Sequence, residues 1–161
     1  MNDIEYDAEL SDCGEYRYRL SRIWDEGKKP LTFVMLNPST ADADHDDPTI
    51  RRCMGFAERE KAGGIVVVNL YGYRATKPFD LFQATDPIGA ANDRRILSAC
   101  LAPTKVVCAW GANAPWPRTF HVLDLLREHR VKLHCLGTTN AGAPRHPLYL
   151  RRDQPLLRYN P

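Results

Sequence analysis

Four short polar segments, each directly following an apolar run, hold the residue types that could do chemistry. They are Leu36-Asn37-Pro38-Ser39-Thr40, then Asn69-Leu70-Tyr71-Gly72-Tyr73-Arg74, then Trp110-Gly111-Ala112-Asn113, and last Gly137-Thr138-Thr139 running on to Arg145-His146-Pro147. Asn69 ends an otherwise apolar run, where a buried amide without partners costs about 1–3 kcal/mol, so it needs a partner or a ligand. His146 stands in a loop rather than on an apolar helix face, and an imidazole there can give or take a hydrogen bond near neutral pH. Asn37-Pro38 is open to two readings: a functional amide, or a turn in which Asn bonds its own backbone and Pro fixes the bend. Trp110-Gly111 reads first as a packing feature.

A separate constellation is the acidic run Asp42-Ala43-Asp44-His45-Asp46-Asp47. Carboxylates clustered with an imidazole could hold Mg²⁺ or another divalent ion, which makes Asp44, His45 and Asp46 the candidate ligands of a metal-dependent phosphoester hydrolase. The competing reading is that the run precedes a helix, where the macrodipole favours acidic residues and Asp47 is needed as the cap. The second reading is preferred, and no metal or other cofactor is assigned. Arg51 and Arg52, one turn further on, could contact a phosphate or pair with these carboxylates; pairing is the preferred reading.

The elements that must position these residues follow from four apolar runs, at residues 31 to 36, 65 to 70, 105 to 110 and 131 to 136. Near-continuous apolar character over so few residues suits strands buried on both faces, as in a parallel sheet flanked by helices. Asp47-Pro48 places a capping carboxylate before a proline at the first helical position, and Ile50, Cys53, Met54 and Ala57 recur at helical spacing up to Gly63-Gly64. Asp86-Pro87 is expected to open a second helix carrying Ile96, Leu97 and Cys100, and Pro117 a third with Phe120, Leu123 and Leu126 on one side. Tyr16, Tyr18 and Leu20 alternate with Arg17, Arg19 and Ser21, the period of a half-exposed strand, here expected as an antiparallel edge. The expectation is an α/β domain over residues 1–161, three-layered α/β/α, with a four-stranded parallel core, an N-terminal antiparallel edge strand, and irregular segments at 1–15 and 150–161. Ligands of such sheets sit beyond the carboxyl ends of the strands, where all four polar segments would meet.

Composition narrows the functional classes. A formal charge of +2 is too small to argue for a dedicated nucleic-acid-binding domain. The arginine pairs and the early arginines Arg17, Arg19 and Arg22 are read for the most part as solvated faces. No apolar run approaches the roughly 20 residues of a membrane span, and the acidic amino terminus is unlike a secretion signal, so a cytoplasmic protein without a membrane partner is expected. Five cysteines without a CxxC pair indicate neither a disulfide framework nor a zinc site, and Cys108 and Cys135 are expected to pack as small hydrophobes.

The spacing of LNPST, VVNLYGYRAT, WGANA and RHPLY resembles a family of bacterial and phage proteins, domain of unknown function 1643, from about Tyr16 onward. More remotely, the same four stations resemble the uracil-DNA glycosylase superfamily, with its Asp or Asn before Pro after the first strand, an Asn ending the next, a WG dipeptide and an HP loop. That resemblance implies a uracil-DNA glycosylase-like fold and a hydrolase or transferase of the N-glycosidic bond, of the kind used in DNA repair. It implies that Asn37 holds the attacking water, Asn69 reads the edge of a base and His146 donates a hydrogen bond to the departing base. Around them Pro38, Ser39, Tyr71, Arg74, Trp110, Gly111, Asn113 and Arg145 are the candidate substrate contacts, and Phe56, Tyr71 and Tyr73 the candidates for stacking on a base. The sequence departs from the superfamily where Leu148 follows Pro147 in place of Ser and where no basic clamping segment surrounds the loop. The partner is accordingly a single-stranded or flipped base in nucleic acid, or a free nucleoside or nucleotide. A module that binds such a base without turnover is the alternative.

Overall fold

Residues 3–102 and 104–161 are described by a computed structural model. Among them the chain forms strands β1 Glu5–Leu10, β2 Arg17–Ile23 and β3 Leu31–Met35, helix α1 Pro48–Arg59, strand β4 Gly64–Asn69, and helices α2 Pro78–Gln83 and α3 Asn92–Leu101. Strand β5 Lys105–Cys108, helix α4 Trp116–Glu128, strand β6 Leu133–Cys135, a 3-10 turn at Pro147–Tyr149 and strand β7 Leu157–Arg158 complete it. The strands make one mixed sheet in the order β1-β2-β4-β3-β5-β6-β7. β3 pairs in parallel with both β4 and β5, and β5 with β6, while β2 lies antiparallel to β4 and β7 antiparallel to β6.

Every residue of β3 and of β4 is buried. Alternate side chains divide between two cores, because successive residues of a strand point to opposite faces. Val34, Val68 and Cys108 pack with Ile96, Cys100, Val122 and Leu126 of α3 and α4. Phe33, Met35, Val67 and Val107 pack with Ile50, Cys53 and Phe56 of α1. Helices thus cover both faces, which explains why the strands read as apolar runs rather than as an alternating pattern. Among the described residues no helix is long and apolar enough to cross a membrane.

Helix α1 starts as its cap chemistry dictates, with the Asp47 side chain accepting from Ile50 N at 2.8 Å and Pro48 in the first turn. It is followed by Gly63, where a Cβ would stand 2.1 Å from Asp25 O and 2.4 Å from Lys28 O. Only glycine lets the chain pass that close to the β2–β3 turn, which its own N–H and carbonyl bond to.

The structure departs from the sequence-based expectations at several elements. Asp86 does not open a helix: its carboxylate accepts from Ile88 N and Gly89 N in a turn, Gly89 has φ +90°, and α3 begins only at Asn92. On α4, Leu126 is buried with Arg118 and Val122, and Leu123 packs against the same core, whereas Phe120 is exposed and stacks on Trp116. β2 is not the edge of the sheet, because β1 from the segment expected to be irregular pairs outside it. Most of β1 faces solvent, so it carries no apolar alternation to read. The C-terminal segment is likewise ordered: Leu150 and Tyr159 are buried, and Tyr159 sits edge-on to Trp110.

Arg22, also expected on a solvated face, is fully buried. Its Nε donates to Asp46 Oδ1 at 2.7 Å, Nη2 to the carbonyls of Asp42 and His45, and the Tyr6 ring covers it. One guanidinium thus satisfies the loop between β3 and α1, at the desolvation cost every buried charge carries. Removing it leaves the Asp46 carboxylate unpaired. Arg22→Met is expected to lower the unfolding free energy by about 3–5 kcal/mol, measured by urea denaturation, the range found when one partner of a buried pair is deleted.

Candidate functional site

β3 leads into α1 on one face of the sheet and the neighbouring β5 leads into α4 on the other. Where adjacent strands send their connections to opposite faces, a crevice opens beyond their carboxyl ends. A cleft of about 730 Å³ lies there. Its wall receives Asn37 and Ser39 from the loop after β3, Asn69 from the end of β4, and Trp110, Gly111 and Asn113 from the segment after β5. Arg145 and His146 enter from the loop after β6.

The amide of Asn37 is oriented by two carbonyls, its Nδ2 donating to Pro38 O at 2.9 Å and Ala75 O at 2.7 Å. Both donors are then used, and Oδ1 is left as an acceptor on the cleft wall. Asn69 is 1% exposed, and among the described residues neither its Nδ2 nor its Oδ1 has a hydrogen-bond partner. Its backbone is held firmly. Asn92 Nδ2 donates to the carbonyls of Asn69 and Leu70 at 2.9 and 3.1 Å, and Arg118 Nε donates to Leu70 O at 2.7 Å. A side chain so placed, with an unmet donor and an unmet acceptor, costs about 1–3 kcal/mol per group until something supplies the complement.

His146 Nδ1 accepts from Leu148 N at 3.2 Å, which assigns the ring proton to Nε2. Burial holds its pKa below the ordinary 6.5, against an opposing pull from Asp47, so at neutral pH it is a neutral N–H donor. Gly111, at φ +80°, turns the chain beside it: its N–H donates to Pro144 O, and an added Cβ would stand 3.4 Å from His146 Cβ.

Two charged residues line the cleft that the sequence reading did not select for it, Arg17 and Asp47. Arg17 comes from β2, is 2% exposed, and donates Nη1 to Ala41 O at 2.6 Å, while Nε has no partner among the described residues. Burial lowers its pKa to about 10. In the sequence it is one of several arginines on an alternating strand, and no local signal separates it from Arg19. Asp47 stood out in the sequence as a helix cap at the end of the acidic run.

Three expected contacts lie elsewhere. Tyr71 is buried on the α3 and α4 side, edge-on to Phe82 and facing the Arg118 guanidinium. Arg74 lines a neighbouring hollow with Tyr73, Asp80 and Gln83 and donates to Gly14 O. Pro38 contributes a carbonyl that accepts from Asn37 and from Ala75 N, and its ring is not on the cleft wall. Of the proposed stacking aromatics, Phe56 and Tyr71 are core residues and Tyr73 packs against Tyr16. The aromatics that do reach the cleft are Trp110, which is buried, and Tyr149, which is 87% exposed with its ring 6.3 Å from that of His146.

The acidic run is tied up by the fold. Asp46 pairs with Arg22, Asp47 caps α1, and Asp42 Oδ1 accepts from Asp44 N and His45 N. Among the described residues no three His, Cys, Asp or Glu side chains are grouped to hold a metal ion. Arg51 donates to the Asp46 backbone carbonyl and Arg52 to Pro147 O, so neither pairs with the carboxylates as expected. Of the cysteines, Cys13 is exposed and Cys53, Cys100, Cys108 and Cys135 are buried as free thiols.

Two outcomes follow for stability. Asn69→Leu, an apolar side chain of similar shape, is expected to raise the unfolding free energy in urea by about 1–3 kcal/mol, because it removes two unmet polar groups. As pH falls below 6.5, the unfolded chain protonates His146 before the folded chain does, so the folded state loses stability across that interval. The stability of His146→Gln is expected to fall less between pH 7 and pH 5 than that of the parent, while His134, shifted in the same direction by burial, keeps its share in both.

No curated protein and no solved structure matches the chain in these comparisons. A family model described as "Protein of unknown function (DUF1643)" matches residues 17–148, the stretch from Arg17 through the His146 loop that builds the cleft. The chain belongs to that family.

Proposed function

We propose that the cleft binds a nucleobase and that the protein is a hydrolase, or transferase, of the N-glycosidic bond in a nucleoside, nucleotide or unpaired base of nucleic acid. The observation that carries this reading is the convergence on one cleft of a free Asn37 Oδ1, an unpartnered Asn69 amide and a neutral His146. The donor and acceptor of Asn69 complement the alternating N–H and C=O edge of an oxo-substituted base, which would meet the groups left unmet in the free protein. The resemblance of the four stations to the uracil-DNA glycosylase superfamily supports the same assignment.

The chemistry suits these groups. The bond between the base nitrogen and the sugar breaks with its electron pair leaving on the base, so the transition state joins a cationic sugar to an anionic base. His146 Nε2–H donates to the developing anion. Asn37 Oδ1 accepts a hydrogen bond from water and orients its oxygen toward the sugar carbon. An amide cannot take the proton, and it does not have to: the water's proton is released as the oxygen bonds to the cationic carbon, and the departed base takes one up. The barrier is lowered by stabilising separated charge rather than by a strong base. Tyr149, at the rim beside His146, is the aromatic available for stacking.

The test is release of free base, followed by mass spectrometry, from nucleosides, nucleotides and single- and double-stranded DNA containing uracil or hypoxanthine. Release is expected from at least one of these substrates, and Asn37→Ala and His146→Ala are each expected to slow it about 10²–10³-fold, with thermal melts close to the parent. Binding without release would assign the cleft to a recognition module instead. Activity that survives both substitutions and disappears with EDTA would move the chemistry to the acidic loop.

A further inference from the structure

Among the described residues three arginines are buried, Arg17, Arg22 and Arg118. Two of them are paired with carboxylates, Arg22 with Asp46 at 2.7 Å and Arg118 with Asp93 at 2.5 Å. A buried cation costs several kcal/mol unless it is compensated, so these pairs are what burial requires. Arg17 breaks the pattern. Among the described residues no carboxylate lies within ion-pairing distance of it, and its guanidinium makes one side-chain hydrogen bond, from Nη1 to Ala41 O. Asp47 and Asp42 favour its charge only at longer range, and Arg74 and Arg22 oppose it.

The one residue without a counter-ion is also the one of the three that lines the cleft. The Ala41 carbonyl anchors Nη1, and among the described residues the Nε and Nη2 edge makes no hydrogen bond, with Nε buried. Two parallel N–H donors on that edge match two oxygens of one anionic group, the geometry in which arginine binds phosphate and carboxylate. Asn69, on the same cleft, presents an unmet amide of the kind that pairs with a base.

We infer that Arg17 receives the phosphate of a nucleoside phosphate whose base lies against Asn69. This rests on the nucleobase reading given above and narrows it: the ligand is a nucleotide rather than a nucleoside. A mononucleotide and a short single strand both carry a phosphate, as a monoester in one and a diester in the other. The charge of the ligand replaces the carboxylate that Arg22 and Arg118 find within the chain.

Isothermal titration calorimetry on the full chain decides it, with uridine and inosine, their 5′-monophosphates, inorganic phosphate alone, and a short single-stranded oligonucleotide carrying the same bases. At least one phosphorylated ligand, monophosphate or oligonucleotide, is expected to bind roughly 10- to 100-fold more tightly than its nucleoside, the range that charge-assisted hydrogen bonds supply. Whichever of the two binds more tightly identifies the source of the phosphate. Arg17→Met is expected to erase that difference while leaving nucleoside binding in place, and Arg17→Lys, which keeps the charge without the fork, to restore part of it. Because Met removes an unpaired buried charge, the variant is expected to melt no lower than the parent; if it does melt lower, the Lys variant alone carries the comparison. Equal binding of nucleoside and phosphorylated ligands by the parent chain overturns the role of Arg17 and leaves the nucleobase reading standing. Phosphate binding that depends on Arg17, with no gain from an attached nucleoside, keeps the anion site and overturns the nucleobase reading. No binding of any of these ligands overturns both.

Discussion

The geometry of this protein rests on one strand, β3, being hydrogen-bonded in parallel on both sides. Parallel neighbours cannot be joined by a tight turn, so each connection must leave the sheet, cross a face and return. From β3 the chain crosses one face through α1 to reach β4; from β4 it returns over the other face through α3 to reach β5. The loops after β3 and β5 are therefore pulled apart, and the gap between them becomes the cleft. Asn69 at the end of β4, and Arg145 and His146 on the loop after β6, complete its wall because every parallel strand delivers its carboxyl end to the same edge.

Holding polar side chains at that edge has an energetic cost, and the protein meets it unevenly. Arg22 and Arg118 are buried where carboxylates and carbonyls surround them, and each locks a segment that the cleft depends on: Arg22 the loop between β3 and α1, Arg118 together with Asn92 the end of β4. These are structural uses of polarity. Among the described residues Asn92 Oδ1 and His134 Nδ1 are also buried without a partner, but away from the cleft; Asn69, with both side-chain groups unmet, and Arg17, with Nε unmet, are the two such residues that line it. Polar groups kept unsatisfied in the free protein destabilise it by amounts that a better-packed apolar residue would recover, which is the usual sign of a site whose complement arrives with a ligand.

The kind of chemistry available is set by what is at the cleft and what is not. Cys53 and Cys108 lie in the core, where burial pushes their thiols well up, and burial raises Cys100 to about 12, so the form needed for nucleophilic attack is suppressed. The groups at the cleft are amides, a neutral imidazole, a guanidinium and the Asp47 carboxylate that caps α1. Such a set orients and stabilises charge more readily than it transfers protons.

Much of this was legible along the chain. Apolar runs bounded by Gly, Pro and Asp located the strands of the parallel pairing and the start of α1, since burial on both faces leaves an unbroken apolar signature and capping chemistry is local. Asn37, Asn69, Trp110 and His146 stood out because polar residues directly after such runs must emerge at the strand ends. The exposed β1 carried no such signature, and the Asp86 turn imitated a helix start because the same Asx hydrogen bond serves both. Whether Tyr71 faces the cleft or the α3 core depends on which way the chain turns after β4, and that is settled by Asn92 and Arg118 from distant segments. Arg17 was invisible as a site residue for the same reason: being buried without a counter-ion is a property of everything around a side chain, and residue order along the chain does not record it.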